Sequence, residues 1–286
     1  MENQQMDYFK TIELNVNGKI FHSIYRKIGT GPQIILLIGG TYGEVKAKEF
    51  QTITDELVTK GLYTFIETDL PGFGVCRPPD RDYSPGFIER DAKYLIVFME
   101  TLNINKYSVM GWCYGGTVAL HIASLVPNRV LKVVEWGART KINEKDINLT
   151  KKFTNHAAWR PEIIKTLFDR CGVEYFNKVW DGLCKAYRYI YENNNGFFIT
   201  MDQLQRIRVP VLLIYGTADG YVGDHHVNYV HNNLNYSNLF NIFFRLVKIV
   251  NAHHEMHKTH YEKFCRVVNE FYTSEFTDTN KTEVEI

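Results

Sequence analysis

The chain has 286 residues, 45% hydrophobic and 23% charged, and its 33 Lys and Arg nearly balance 32 Asp and Glu for a net charge of +1. That length suits one large α/β domain or two small ones. The composition is that of a globular protein, with no basic excess to suit nucleic acid and no acidic excess to suit disorder.

No apolar run approaches a membrane span, and the opening MENQQMDYFK shows no signal or transit pattern. Cys76, Cys113, Cys171, Cys184 and Cys265 are scattered and fall in no CxxC or Cys/His metal spacing. Reduced thiols are the expectation. So is a cytoplasmic monomer acting on a small molecule, with no nucleic acid, membrane, metal or cofactor as partner; a mitochondrial location stays open.

Tyr8–Val16 and Lys19–Arg26 alternate about Asn17-Gly18, a type I′ hairpin signal. Ile34–Ile38 is a continuous apolar run, the mark of a strand covered on both faces, and it ends in Gly39-Gly40-Thr41-Tyr42-Gly43. Glu49–Thr59 reads as an amphipathic helix, Leu62–Glu67 as a strand, and Pro85–Leu102 as a long helix with Pro at its start. Tyr107–Met110 and Val130–Trp136 are further apolar strands. Repeated strand–helix–strand units mean a mostly parallel sheet wound by helices. Asn143–Glu192 then carries helical periodicity without strands, over Ile147–Phe153, Glu162–Asp169 and Val173–Tyr191. It reads as a helical cap inserted after the sixth strand. Met201–Arg206 and Val222–Leu234 are helical, Pro210–Tyr215 and Arg245–Val250 are strands, and Tyr261–Thr273 is a final helix. Thr273–Ile286 is polar and expected to fray. The expected architecture is a sheet of about eight strands with helices on both faces. Its core is 1–140 with 200–286, and 141–199 is the cap.

The chemistry centres on Tyr107–Val126, YSVMGWCYGGTVALHIASLV. A strand runs into a glycine-bracketed turn and out into a helix, the context of a nucleophile elbow, with Cys113 where serine is usual. The helix start supplies N–H donors and positive potential to that side chain. In this arrangement the acid and base follow in chain order, each in a loop at the C-terminal end of a strand. Asp219, after Pro210–Tyr215, is the acid candidate. One of the histidines in Asn251-Ala252-His253-His254-Glu255-Met256-His257 is the base candidate. The oxyanion hole needs two backbone N–H groups, expected from Tyr114 and Thr41. Gly40, Tyr42 and Tyr114 beside them are the expected substrate-binding residues.

On these residues the chain resembles the valacyclovir hydrolase, or biphenyl hydrolase-like, family of the α/β-hydrolase fold. The resemblance runs from Val16-Asn17-Gly18 to the last helix. It is most specific at Arg77-Pro78-Pro79-Asp80-Arg81-Asp82-Tyr83, Glu89-Arg90-Asp91-Ala92-Lys93, Gly111-Trp112 with Gly115-Gly116, Trp136-Gly137-Ala138 and Trp180-Asp181-Gly182. It implies that Asp219 is the acid and that His254 is the base, because His257 follows three residues on. It also implies a hydrolase, since the family cleaves amino-acid esters; the expectation for this chain is cleavage of small esters, lactones or thioesters through a covalent acyl intermediate on Cys113. The family uses a serine nucleophile followed by an aspartate that holds the substrate's ammonium group; here these are Cys113 and Tyr114. A segment of roughly seven residues, around Asn238–Phe244, is extra to the pattern if the last strand keeps its register.

Competing readings are weaker. Cys113 could be a small buried residue in a ligand-binding protein that has lost its chemistry. His253 could replace His254. His225, His226, His253, His254, His257 and His260 invite a metal, but H-E-x-x-H is absent and no carboxylate or thiol set completes a site. The Gly39–Gly43 loop lacks both phosphate-binding fingerprints. Trp159, Trp180, Tyr187, Tyr189 and Tyr191 read as cap core.

Overall fold

The Asn17-Gly18 turn has both residues at positive φ, 53° and 83°, which matches the twist of a two-residue hairpin. It joins β1 (Lys10–Val16) to β2 (Lys19–Ile28). The computed structural model describes residues 9–42, 44–154, 159, 161–234, 244–274 and 282–286. Within them the strands continue with β3 (Gln33–Ile38), β4 (Tyr63–Thr68), β5 (Tyr107–Trp112), β6 (Val130–Trp136), β7 (Val211–Gly216), β8 (Phe244–Ile249) and β9 (Thr282–Glu285). They form one sheet in the order β1-β2-β4-β3-β5-β6-β7-β8-β9. The first two strands enter antiparallel and the rest run parallel.

Helices cover both faces, so the parallel strands are continuous apolar runs rather than alternating ones. On one face, α2 (Phe87–Thr101), α3 (Tyr114–Leu125), α6 (Val173–Asn193) and α8 (Asp224–Leu234) enclose a core that includes Phe98, Tyr107, Val118 and Leu213. On the other, α1 (Gln51–Val58) and α10 (Tyr261–Thr273) enclose Ile53, Trp136, Ile214 and Phe264. Helices α4 (Glu144–Phe153), α5 (Pro161–Cys171) and α6 lie between β6 and β7 in the chain, followed by the short α7 (Met201–Leu204). A last short helix, α9 (Met256–Thr259), precedes α10.

After β3 the chain turns outward to β4, and after β5 it turns the other way to β6. Strands β3 and β5 are neighbours, with Ile38 paired to Gly111. Their outgoing loops therefore diverge from a topological switch point, where ligand crevices form in open α/β sheets.

One expectation is sharpened and two are corrected. The sheet has nine strands among the described residues rather than about eight. The ninth is Thr282–Glu285, part of the tail expected to fray. It pairs parallel to β8, and Ile286 both donates to Lys248 O and accepts from Val250 N–H, each at 2.9 Å. The alternation of Val284 and Ile286 with Glu283 and Glu285 is a half-buried strand signal hidden in a polar segment. Helix α2 begins at Phe87 behind Gly86, whose φ is 83°, rather than at Pro85. Of the Asn238–Phe244 segment, only Phe244 lies within the described residues, where it opens β8.

Candidate active site

Cys113 sits between β5 and α3 with φ 55° and ψ −121°, a conformation that costs a non-glycine residue of order 1–3 kcal/mol. It is held there by packing. A Cβ on Gly111 would lie 2.2 Å from Gly115 O, and one on Gly115 would lie 2.3 Å from Ile38 O. The flanking glycines are thus required by the close approach of β3, β5 and α3. The Cys113 N–H donates to Trp136 O at 2.9 Å, tying the elbow to β6. The thiol is half-buried at the start of α3.

The loops after β7 and β8 are stitched together, since Thr217 N–H donates to Ile249 O and Ala218 N–H to Ala252 O. This brings Asp219 and His254 together, with His254 Nδ1 2.8 Å from Asp219 Oδ2. The other Asp219 oxygen accepts from the N–H groups of Tyr221, at 2.8 Å, and Val222, at 3.0 Å. The carboxylate is fully satisfied and its direction is fixed. Trp112 Nε1 donates to the His254 carbonyl at 3.0 Å, and the Trp112 and Tyr221 rings flank the imidazole. Gly137, with φ 67°, makes room for it: a Cβ there would lie 2.9 Å from His254 Cε1.

Cys113 and His254 are coupled. Burial alone would raise the thiol pKa, but the His254 charge and hydrogen bond, with help from Arg139 and the Tyr114 N–H, leave it lowered. Burial alone would depress His254, yet the Cys113 sulfur and Asp219 outweigh it and push the ring up to about 10. Asp219 is held low despite burial, chiefly by His254. The directions agree on a thiolate–imidazolium pair backed by a carboxylate, the arrangement of an activated thiol.

The other expected residues fall out as follows. His253 is exposed and its Nδ1 lies 2.8 Å from Ala218 O, away from Asp219. Gly40 is beside the elbow, because its Cβ would meet Trp112 and Cys113; Thr41 follows it. The Tyr114 N–H contributes to lowering the thiol. Its side chain, however, is 4% exposed and belongs to the core. The phenol donates to Asp91 Oδ2 at 2.5 Å and accepts from Arg81 Nη2 at 3.2 Å. Arg81 in turn forks onto both Asp91 oxygens. Of Tyr114, only the backbone is left free to meet a substrate. Tyr42 stacks on Phe176 and Trp180, and its phenol oxygen is buried with no hydrogen-bond partner among the described residues.

Two features escaped sequence reasoning. Asp146 of α4 joins His225 and His226 of α8 in a three-residue cluster, a carboxylate that the spacing of the histidines gave no hint of. The cluster is better built for ion pairing than for a cation. His226 Nδ1 accepts from Thr140 N–H at 3.2 Å, so its proton sits on Nε2, which faces Asp146. Arg139 also pairs with Asp146, at 3.3 Å. The second feature is Glu135, a lone acid in the apolar run of β6 and 3% exposed.

The alpha/beta hydrolase fold family model matches residues 33–158. Serine hydrolase BPHL of Mus musculus is 30% identical over 262 residues, covering 90% of this chain and 84% of the mouse protein. The chain belongs to the biphenyl hydrolase-like family. Serine hydrolase BPHL of Homo sapiens is 28% identical over 259 residues, with the same coverage of 90% and 84%. Among solved structures, a serine hydrolase involved in carbazole degradation superposes with a TM-score of 0.68 at 22% identity, covering 93% of this chain and 99% of that one. This family member is therefore an α/β-hydrolase-fold hydrolase. No helix among the described residues is long and apolar enough to cross a membrane.

Proposed function

We propose that this hydrolase cleaves small carboxylic esters, lactones or thioesters through a covalent acyl intermediate on Cys113, with His254 as base and Asp219 as its orienting acid. The Cys113 thiolate adds to the substrate carbonyl, and the negative charge moves to the carbonyl oxygen. The N–H groups of Tyr114 and Thr41 receive that charge. Collapse expels the alcohol oxygen, which takes the proton from His254, and leaves an acyl thioester and a neutral imidazole. His254 then takes a proton from water as the hydroxide adds to the thioester carbonyl. The C–S bond breaks, the acid leaves, and the thiolate–imidazolium pair returns. The segment 141–199 is read as a cap that covers the acyl group.

The observation that carries this reading is the mutual coupling of Cys113, His254 and Asp219: a lowered thiol, a raised imidazole and a satisfied carboxylate on one rim of the sheet. The acyl group it favours has no α-ammonium. At position 114, the family's aspartate is replaced by a tyrosine whose phenol is already bonded to Asp91. A charge-assisted contact of about 1.5–3 kcal/mol is thus missing for amino-acid esters. The test is hydrolysis of p-nitrophenyl acetate together with alkylation by iodoacetamide. Rapid labelling of Cys113 at neutral pH, and loss of hydrolysis in both Cys113→Ala and His254→Ala, are expected. Native protein inert to iodoacetamide, with hydrolysis unchanged in the variants, would leave a ligand-binding protein instead.

A further inference from the structure

Glu135 is the penultimate residue of β6, buried among apolar strand residues. A carboxylate in such a place needs a reason, because burying one without partners is costly. One Glu135 oxygen accepts from the Ala138 N–H at 2.6 Å, closing the turn that follows β6. That turn touches both the elbow and His254. Trp136 O accepts from the Cys113 N–H, and Arg139 O accepts from the Thr117 hydroxyl at 2.8 Å, fixing the first turn of α3. Gly137 packs against the His254 ring. Glu135 itself is pressed on the elbow helix, since a Cβ on Gly116 would lie 2.9 Å from Glu135 Cγ.

We propose, on the triad reading above, that Glu135 is a positioning residue: its carboxylate locks the 136–139 turn against nucleophile and base, and places a second negative charge beside the His254 imidazolium. It touches neither substrate nor the reacting atoms. In deacylation His254 gains a proton as water attacks, so a fixed negative charge nearby stabilises the state being formed. In the free enzyme Cys113 from the elbow and Asp219 from the loop after β7 act on His254; once Cys113 is acylated and uncharged, Asp219 and the Glu135 charge from β6 remain. Electrostatics agree with the geometry: burial raises the Glu135 carboxyl to about 7, against the Ala138 hydrogen bond. Asp219 adds to the rise, and the His254 charge opposes it. The carboxylate therefore persists best when His254 is protonated.

Glu135→Gln separates the two roles, because an amide oxygen can still accept from Ala138 N–H while the charge is gone. The His254 ring is titrated by NMR in the Cys113→Ala background, where no coupled thiol obscures it. With Glu135→Gln added, its midpoint should fall by about one pH unit. In the chain that keeps its thiol, Glu135→Gln should lower kcat for p-nitrophenyl acetate roughly tenfold with KM unchanged, and move the alkaline limb of kcat/KM to lower pH. Glu135→Ala, which also frees the turn, should lose more, with Gln as the partial rescue. A His254 midpoint unmoved by Glu135→Gln overturns the proposal. Failure of the triad reading would show elsewhere, as full hydrolysis in Cys113→Ala, and the titration would still report on Glu135.

Discussion

Two histidine–aspartate pairs lie in this molecule, and they are poised in opposite ways. His254 meets Asp219 at 2.8 Å and is pushed up to about 10. His226 meets Asp146 at 3.2 Å, and burial drives it down to about 4. Each ring is buried and each has a carboxylate, so neither burial nor the acid explains the difference. The second ring nitrogen does. In His226, Nδ1 accepts from the backbone N–H groups of Thr140 and Lys141. A proton there would break both contacts, and Arg139 and His225 add positive charge nearby. In His254, the nitrogen away from Asp219 serves the Cys113 thiol, which becomes an anion. One pair is a structural clasp between α4 and α8; the other, on the proposed reading, is a proton-handling device.

The largest test of this contrast is to remove each ring. His254→Ala and Cys113→Ala should each lower activated-ester hydrolysis on the order of 10³-fold. His226→Ala should leave the rate nearly unchanged but cost about 1–3 kcal/mol in urea unfolding, because the buried Thr140 N–H and the part-buried Lys141 N–H lose their acceptor. Removing the acids comes next. Asp219→Asn should slow hydrolysis on the order of 10²-fold by disturbing the tautomer. Asp146→Asn keeps an acceptor oxygen for the α4 capping box and should chiefly weaken the clasp to His226 and Arg139, for about 1–3 kcal/mol in urea unfolding with the rate nearly unchanged.

The pH profile sharpens the comparison without mutation. Cys113 titrates below its ordinary value and His254 above its own, so the reactive pair exists between them. Activity should fall in acid as the thiolate gains a proton and in alkali as His254 loses one, giving a bell in kcat/KM. An imidazole like that of His226 would give a profile with no such alkaline limb. The smallest expected effect is at Tyr114. Phe there keeps the backbone donor, so hydrolysis should persist, while loss of the phenol's bond to Asp91 costs about 1–2 kcal/mol in denaturant unfolding.

Much of this was legible from local signals. Asn17-Gly18 declared the hairpin, the apolar run before Gly111 with the glycines after it declared the elbow, and the loops after two later strands carried Asp219 and His254. These are short-range patterns whose physics is settled within a dozen residues. What was hidden depends on partners far away in the chain. Glu135 is a single acid in VLKVVEW, and nothing local says that it turns back to Ala138 or presses on Gly116 of the elbow helix. Asp146 is a helix-start acid, a role that gives no hint of two histidines 79 and 80 residues on. Thr282–Glu285 has a strand's alternation but so few residues, amid polar ones, that only pairing with β8 makes it one.

That last strand matters beyond its size. β8 ends at Ile249, and the loop that carries His254 begins next to it. A chain cut before Thr282 would bare the Arg245–Ile249 backbone as an open flank. Unpaired flanks of this kind recruit strands from other molecules, so such a truncation should self-associate. It should also lose the acceptor of the Val250 N–H, four residues ahead of His254, the proposed base. Shortening this protein from that side is thus a change to its solubility and its chemistry together.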